Sequence, residues 1–507
     1  MRTTTETDTH DLARGAGVNY LGFVARLGVR VPFLILAGSL YGAARFGEYT
    51  FSITLVETAA ALALFGLKRS LFKFMSEAVA RGESVHRAIA NGLAVALTTG
   101  TIMTLAVAAG ADHLAALVRM PSAARPLLLL TPAIPMIVIS DILLVAIRFT
   151  RQMRFEVWAR SIAEPITLTV AIVIAYYAGA LESGLFIGYV ASLTVAAAAS
   201  VLFFVRIFPI RACLKTDLRW AEIRRLLTFS GPTAAYELLV VLAEKIDVFL
   251  VTYFSSAAVV GVYGMARQFS TVTKKIRQGF DRILPPVLSQ SIAAGDMKRV
   301  QDQLSTVSRW ILSVQVLIIL GFAFYASDLL GLVGGEFAGA ATILMLLIVG
   351  DAINGSLGVS ELPIVYLRPN LNVAIGAAML LIGLGTNIWL INAIGPEGAA
   401  LAVLITYVLV NAGRIGVNRW LFHIVTVKRS ILKPVLAALP AAGAVLAVQS
   451  LTTHAPLVGS VLGIPVLVAS YLGALYLLGL EPEDRMQLQR LLRRTRGAAR
   501  RDTPSAG

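Results

Sequence analysis

The chain contains the stretch LYGAARFGEYTFSITLVETAAALALFGLKRSLFKFMSEA between Leu40 and Ala78. Within it, residues 46–66 are largely apolar and carry only two charged side chains, both glutamates. A run of about 20 such residues is long enough to cross a hydrocarbon core of roughly 30 Å as a helix. The run is followed by Lys68 and Arg69, and basic residues collect on the cytoplasmic side of a membrane. The stretch therefore predicts a membrane-spanning helix that ends at the cytoplasm.

The composition of the whole chain agrees with this interpretation. The 507 residues are 57% apolar and 14% charged, whereas soluble proteins are about 45–50% apolar. This excludes a soluble enzyme and leaves little room for a separate soluble domain. The net charge of +15 belongs to the loops, so it does not indicate a nucleic-acid partner. The five histidines and Cys213 lack the spacing of a metal site, and we predict no metal or other cofactor.

Apolar runs bounded by charge, Gly or Pro predict an all-α integral membrane protein with about fourteen transmembrane helices. Twelve is the nearest alternative count. The predicted spans lie near 18–40, 46–66, 88–110, 126–147, 161–180, 184–207, 227–253, 257–280, 307–333, 338–362, 370–394, 398–421, 434–451 and 457–479.

The distribution of basic residues tests this count. Connections after even-numbered spans are rich in Lys and Arg, whereas those after odd-numbered spans hold only Arg45, Arg119 and Arg125. Under the positive-inside rule, this predicts an even number of spans and two cytoplasmic termini. The polar N-terminus lacks the short apolar region and small-residue cleavage site of a signal peptide, so we expect no cleaved signal.

A short internal similarity indicates that the two halves of the chain are related. FGEY at 46–49 and VGVY at 260–263 share the pattern G-x-Y at an offset of 214 residues. Six predicted spans separate the copies, so their orientation is the same and the repeat is parallel. The predicted organisation is a cytoplasmic N-terminal segment at 1–15, a six-helix bundle at 16–210, a cytoplasmic linker at 211–226, a second six-helix bundle at 227–425, two additional helices at 426–480 and a basic cytoplasmic tail at 481–507.

Four stretches resemble the polysaccharide transporter family of the multidrug/oligosaccharidyl-lipid/polysaccharide flippase superfamily, which includes O-antigen and exopolysaccharide repeat-unit flippases. The stretch from Leu40 is similar to the family's G-x-Y opening of the second helix and the basic connection after it. KIDVFLVTYFSSAAVVGVYGMARQF from Lys245 resembles the family's Asp in helix seven and G-x-Y-x-x-A in helix eight. FDRILPPVLSQ from Phe280 is similar to the end of helix eight, and GPEGAALAVLITYVLVNAGR from Gly395 to the start of helix twelve.

The resemblance implies a flippase of the bacterial cytoplasmic membrane and not an enzyme. It would translocate a polyprenyl-pyrophosphate-linked oligosaccharide by alternating access, with the lipid bilayer around it and the polysaccharide polymerase or export machinery as candidate partners. No nucleotide-binding phosphate loop occurs in the sequence.

Ionisable residues inside predicted spans are the candidate functional residues, because a charge in the membrane is costly unless it faces a wet cavity or a partner. Arg26 and Arg30 are four residues apart on the first span and share one helix face. With Lys245 and Arg267, they are predicted to form a cationic patch that binds pyrophosphate through charge-assisted hydrogen bonds. In the alternative interpretation, Arg26 reaches the interface and Arg30 pairs with Glu57.

For the acidic residues, the sequence leaves two roles open, structural ion pairing and coupling of transport to an ion. Asp247, which matches the family's Asp, would anchor Lys245 or Arg267, or would take up a proton. Glu57 and Asp351 are similarly predicted as ion-coupling residues or structural ion pairs. Asp141, Glu164, Asp351 and Glu361 lie near prolines that predict locally broken helices.

Three other functions compete with a repeat-unit flippase. Two are transporters of the same superfamily, a peptidoglycan-precursor flippase and a cation-coupled drug exporter, and a cationic cavity disfavours the second. The third is a membrane-embedded glycan polymerase or ligase, which usually needs a large outer loop. The longest outer connection predicted here, near 111–125, is short. A non-transporting scaffold also stays open.

Overall fold

The structure, a computed structural model, describes the backbone of residues 4–485 except positions 151, 153, 215, 217, 282, 453–455, 480, 482 and 483. Side chains are described from residue 28 onward, with 210, 214 and 456–461 as further exceptions. The side chain of Arg26 and the tail at 486–507 therefore lie outside the described residues. The described part of the chain forms helices and no strand, which confirms the predicted all-α class.

The described residues of the first half form eight α-helices, with a short 3₁₀ turn at Pro121–Ala123 and a π-helical segment at Val157–Ala163. The α-helices are α1 (Thr4–Leu64), α2 (Leu67–Ala80), α3 (His86–Leu117), α4 (Ala124–Leu130), α5 (Ala133–Phe149), α6 (Arg154–Glu156), α7 (Glu164–Tyr177) and α8 (Gly184–Ile207).

The second half and the C-terminal region contain the remaining described helices, with 3₁₀ turns at Gly335–Ala340, Gly358–Ser360 and Arg429–Ile431. The α-helices are α9 (Ile210–Leu214), α10 (Trp220–Phe254), α11 (Ala257–Gln278), α12 (Leu284–Ala293), α13 (Met297–Val333), α14 (Ala341–Leu357), α15 (Glu361–Leu367), α16 (Pro369–Ile394), α17 (Pro396–Leu421), α18 (Leu432–Leu451) and α19 (Pro456–Leu477).

These helices follow the predicted spans closely. The predicted sixth span, 184–207, has the same bounds as α8. The first two predicted spans both lie in α1, which leaves the helical conformation at Gly42 with φ 75° and ψ 170°, a backbone region that glycine tolerates well. Nine described helices are long and apolar enough to cross a membrane, or ten if the bent pair α4–α5 forms one span. The chain is thus a multi-pass membrane protein, and the count of fourteen stays a prediction.

Proline residues interrupt the predicted fourth and fifth spans. α4 and α5 meet at an angle of 43°, and Pro132 stands at the break. Pro165 lies in the first turn of α7, directly after the π-helical segment. Since proline cannot donate a backbone hydrogen bond, it frees carbonyl groups in the preceding turn and favours such breaks. The local breaks predicted beside Asp141 and Glu164 are therefore present.

The two halves pack against each other along α1 and α11. Within the first half α1 contacts α3, α5, α7 and α8, and within the second α10 contacts α11, α16 and α17, while α14 contacts α11 and α17. At the boundary a Cβ atom on Gly47 would lie 1.8 Å from the carbonyl oxygen of Ala257, and one on Gly261 would lie 1.9 Å from that of Ala43. The two glycines that the sequence analysis aligned thus face each other, as equivalent positions beside a pseudo-twofold axis would.

The C-terminal helix pair packs outside the two halves. α18 and α19 contact each other and α13, and a buried apolar cluster that includes Val316, Ala441 and Tyr471 joins them. Beyond α19, the carboxylate of Asp484 binds the guanidinium of Arg309 and accepts a 2.7 Å hydrogen bond from the indole of Trp310. The start of the tail is therefore fixed to α13.

Candidate functional site: a charged cavity between the two halves

A cavity of about 460 Å³ is lined by residues of both halves. The end of α1 and the start of α2 form one wall, and α10, α11, α14, α15, α16 and α17 form the others. Its charged side chains balance, because five are basic and five are acidic. They are Lys68, Arg69, Lys274, Arg277 and Arg414, with Glu237, Glu244, Asp281, Asp351 and Glu361.

Glu361 connects two of the cavity's arginines. The break between α14 and α15 places it at the start of α15, where Arg414 lies 3.2 Å and Arg277 3.7 Å from its carboxylate. The hydroxyl of Tyr236 donates a 2.9 Å hydrogen bond to the same carboxylate, and Asn372 donates to that hydroxyl. Two guanidinium groups therefore share one carboxylate, which also accepts a hydrogen bond from Tyr236.

Asp351 lines the cavity and is fully buried. Its carboxylate lies 3.6 Å from Lys274 and 3.5 Å from Arg267, and Ser270 donates a 2.9 Å hydrogen bond to it. Lys274, Arg277, Asp351, Glu361 and Arg414 are called the cavity cluster below. Its ion-pair contacts of 3.2–3.7 Å are longer than the roughly 2.7–2.9 Å of strong charge-assisted hydrogen bonds.

Arg267 lies behind the cavity wall. Its guanidinium is 3.3 Å from Asp247 as well as 3.5 Å from Asp351, and Asp247 accepts a 2.7 Å hydrogen bond from the hydroxyl of Tyr263. The side chain of Asp247 is almost wholly buried. Of the predicted alternatives for Asp247, the contact with Arg267 is present.

Among the polar contacts that cross the boundary between the halves, two involve predicted site residues. Lys245 of α10 binds Glu57 of α1 at 2.8 Å, and Arg30 of α1 donates to the side-chain oxygen of Gln268 on α11. The predicted alternative in which Glu57 pairs with Arg30 thus differs from the structure, since the ammonium group of Lys245 occupies that position. Glu57 keeps a side-chain exposure of 42%, so this boundary is open to surrounding space.

A second ionic cluster lies within the first half. Arg160, on the π-helical segment, lies 2.6 Å from Asp141 and 3.1 Å from Glu164, and Lys68 lies 2.6 Å from Asp141. These four residues are called the first-half cluster below. They join α2, α5, the π-helical segment and the start of α7, so they hold the broken fifth span against its neighbours.

Of the four predicted pyrophosphate-binding residues, the three whose side chains are described do not line the cavity. Arg30 and Lys245 contact the opposite half, Arg267 lies between two aspartates, and the side chain of Arg26 lies outside the described residues. A role for these four residues in substrate binding remains a prediction. The sequence predicted a cavity with net positive charge. The lining is instead balanced, because five carboxylates accompany the five basic side chains.

Arg414 and Tyr236 were not among the residues predicted from the sequence, and Lys68 and Arg69 contributed only to the predicted orientation. Arg414 lies inside the apolar run of the predicted twelfth span. A charge in such a run is the signal that identified Arg30 and Arg267, and it would have identified Arg414 too. Tyr236 carries no comparable signal, since tyrosine is common in membrane helices.

A multi-pass helical protein with two halves around a charged cavity is typical of a membrane transporter. Its family is also clear. The model of the polysaccharide biosynthesis protein family matches residues 36–337, and the chain belongs to that family, which confirms the resemblance predicted from the sequence. No curated protein matches the chain significantly.

Solved structures of transporters share this fold. The lipid II flippase MurJ in an inward closed conformation is similar with a TM-score of 0.67 and 14% identity, over 90% of this chain and 97% of that one. An inward-facing multidrug resistance MATE transporter gives 0.64 and 13%, over 79% and 98%. A transporter of the same superfamily from Pyrococcus furiosus gives 0.57 and 13%, over 83% and 97%. The chain thus has the fold of the MOP transporter superfamily, whose matched members are transporters and flippases.

Proposed function

We propose that this protein is a flippase that moves a polyprenyl-pyrophosphate-linked oligosaccharide repeat unit across the bacterial cytoplasmic membrane for surface polysaccharide biosynthesis. The observation that carries the proposal is the cavity cluster at the boundary of the halves. Its three basic groups converge on a space of about 460 Å³, which is large enough for a pyrophosphate and its first sugar but not for a whole repeat unit. Membership of the polysaccharide biosynthesis protein family supports a glycan substrate.

The long ion pairs of the cavity cluster explain how a pyrophosphate would bind. Arg277 and Arg414 share Glu361 at 3.7 and 3.2 Å, so neither guanidinium makes two strong hydrogen bonds to that carboxylate. A pyrophosphate offers several oxygens for bidentate bonds to arginine. It would displace Glu361 and Asp351 from the basic groups, and the carboxylates would return when the substrate leaves.

The orientation follows from the positive-inside prediction. Lys68 and Arg69 line the cavity, and their connection belongs to the basic set assigned to the cytoplasm. The cavity would then receive its substrate from the cytoplasm. The contact of Gly47 with Gly261 lies toward the opposite end of the same helices and would close that side during loading.

Arg30, Lys245 and Arg267 take later or indirect roles in this proposal. Arg30 and Lys245 hold the halves together through Gln268 and Glu57, and opening of those contacts would free both cations for the passing head group. Arg267, between Asp247 and Asp351, would position Asp351. Glu57, Asp247 and Asp351 would either stay ion-paired throughout the cycle or couple it to a cation.

The test is the sidedness of the lipid-linked glycan in cells depleted of the protein. A membrane-impermeant sugar-labelling reagent is applied to intact spheroplasts and to lysed ones. We expect single repeat units that are labelled only after lysis. Single units labelled in intact spheroplasts would show that translocation is unaffected, and the proposal would then be wrong.

A lipid II flippase is the second candidate, because the similar structure named above translocates lipid II according to its name and matches 90% of this chain. The same depleted cells distinguish the two. Accumulation of the peptidoglycan precursor on the inner side, with growth arrest, would favour this candidate. Accumulation of the glycan repeat unit with normal peptidoglycan would favour the repeat-unit flippase.

A further inference from the structure

A second, smaller cavity of about 190 Å³ lies at the seam between the two halves, on the face predicted to be cytoplasmic. The end of α2, the connection after it and the start of α3 form one side, and the start of α10 forms the other. It shares no lining residue with the 460 Å³ cavity. It is therefore separate from the proposed substrate site.

The charge of this cavity is strongly basic. Four arginines line it against two glutamates, and they are Arg81, Arg87, Arg219 and Arg225, with Glu83 and Glu222. Two of the pairs are long, since Arg81 lies 3.6 Å from Glu83 and Arg87 lies 3.5 Å from Glu222. Arg225 is held more closely, at 3.0 Å from Glu77 of α2. Within the described part of the chain, Arg219 is exposed and has no acidic partner.

The polar groups of the cavity are incompletely satisfied. Asn91 is only 3% exposed; its amide nitrogen donates to Glu222 at 3.0 Å, while its amide oxygen has no hydrogen-bond partner. The Nε atom of Arg87 is also buried without a hydrogen-bond partner. Unpartnered buried polar atoms are costly. A bound phosphate would accept a hydrogen bond from Nε of Arg87, whereas the amide oxygen of Asn91 needs a donor such as a hydroxyl of the lipid head group.

The neighbouring side chains place the cavity at the level of lipid head groups. Leu218 and Trp220, on either side of Arg219, are 54% and 71% exposed, and Phe72 of α2 is 46% exposed. Exposed tryptophan next to arginine is typical of the membrane interface. The phosphates of the lipids lie at this depth, and an acidic lipid adds a net negative charge that basic residues attract.

From these observations we infer that the cavity binds the phosphate-bearing head group of an acidic phospholipid. Arg81 and Arg87 from the first half and Arg219 and Arg225 from the second would surround one phosphate with forked donors. Because the site belongs to both halves, a bound head group strengthens their contact on this face. The inference does not depend on which glycan the protein carries.

The test uses the full-length chain in neutral detergent with Trp158, Trp310, Trp389 and Trp420 replaced by Phe, so that Trp220 is the remaining fluorophore. Brominated phosphatidylglycerol and brominated phosphatidylcholine are added as quenchers. We expect phosphatidylglycerol to quench at about tenfold lower concentration, since about 1 kcal/mol per basic residue is typical at a membrane surface and each tenfold corresponds to about 1.4 kcal/mol. Equal quenching by the two lipids would overturn the inference.

Two matched variants separate this site from general surface charge. R81Q/R219Q removes two exposed cavity arginines and should abolish the preference for phosphatidylglycerol. K298Q/R368Q removes two exposed basic residues of the same predicted face outside the cavity and should keep it. Equal loss in both variants would show non-specific attraction, and displacement of the lipid by millimolar inorganic phosphate would identify a free phosphate as the ligand. Either result would overturn the lipid assignment.

A second measurement does not need the tryptophan changes. The native chain and both variants are purified from membranes and washed in neutral detergent, and the retained phosphatidylglycerol is quantified by phosphorus analysis. We expect about one retained molecule per chain for the native protein and K298Q/R368Q, and severalfold less for R81Q/R219Q. Equal retention by all three would contradict the inference.

Discussion

The first-half cluster and the cavity cluster contain the same kinds of residues and differ in how closely those residues approach. In the first-half cluster, Asp141 lies 2.6 Å from both Lys68 and Arg160. In the cavity cluster, the contacts of Asp351 and Glu361 with their basic partners are 3.2–3.7 Å. Short, mutually satisfied pairs hold helices in place, whereas long pairs around an open space can exchange partners. In our proposal, the first-half cluster therefore serves structure and the cavity cluster serves transport.

The largest expected effect comes from removing the exchangeable cations. R277Q/R414Q should lower glycan export by about 100-fold or more, because each charge-assisted hydrogen bond to a substrate contributes about 1.5–3 kcal/mol. Export is measured as externally labelled repeat units per folded protein. K298Q/R368Q removes the same charge outside the cavity and should export normally. Near-normal export by R277Q/R414Q would show that the cavity cluster is not part of the substrate site.

A substitution in the first-half cluster should lower the stability of the protein and leave glycan export nearly unchanged. R160A leaves Asp141 and Glu164 without their shared partner and should reduce the free energy of unfolding by about 3 kcal/mol, as expected when one partner of a buried ion pair is removed. The measurement is thermal unfolding of the purified protein in detergent. Export per folded molecule should stay within about twofold of the native value, since Arg160 does not line the cavity. A large loss of export with unchanged stability would reverse the comparison.

The contact between the halves gives a smaller effect. G261A places a methyl group within 1.9 Å of the carbonyl oxygen of Ala43, and overpacking of this kind costs about 1–3 kcal/mol. Thermal unfolding measures that cost. In G413A the added methyl group meets no atom within 4 Å, so this control should be neutral or slightly stabilising because alanine favours helix. Equal stability of both variants would contradict the close approach of α1 and α11.

The smallest expected effect is a gain in pyrophosphate binding rather than a loss of function. It distinguishes the two clusters most directly. E361Q removes the anion that competes for Arg277 and Arg414 but keeps a group that can accept the hydrogen bond from Tyr236. We expect pyrophosphate to bind the purified protein about threefold to tenfold more tightly, which corresponds to about 1 kcal/mol, as measured by calorimetry. E164Q, in the first-half cluster, should leave pyrophosphate binding unchanged. Weaker binding by E361Q would show that Glu361 contacts the ligand.

Much of the fold could be predicted from the sequence because hydropathy and loop charge report directly on membrane insertion. The sixth predicted span has the bounds of α8, and the prolines beside Asp141 and Glu164 marked real breaks. The aligned glycines Gly47 and Gly261 also meet in space, since a close helix contact requires the smallest residue.

The site was harder to predict because pairing across helices leaves no signal in a single sequence. Lys245 and Glu57 are far apart in the chain, and neither residue type indicates its partner. Depth in the membrane identified Arg30 and Arg267 as candidates, but depth does not show which face of a helix borders the cavity. Arg414 met the same criterion and was overlooked, whereas the role of Tyr236 depends on Glu361 and Asn372 and could not be read from the sequence.

The glycine contact between α1 and α11 also determines how far the cavity end of α11 moves when the two halves tilt slightly against each other. Gly261 lies 16 residues before Arg277, which at 1.5 Å per residue is a lever arm of about 24 Å. If the halves rotate about this contact by about 15°, the cavity end of α11 moves by about 6 Å. Subunit rotations of this size are known. Because the residues at this contact are the glycines Gly47 and Gly261, the two backbones can rotate against each other there without rearranging side chains. A modest rotation at one membrane face would thus open a passage as wide as a sugar ring at the other.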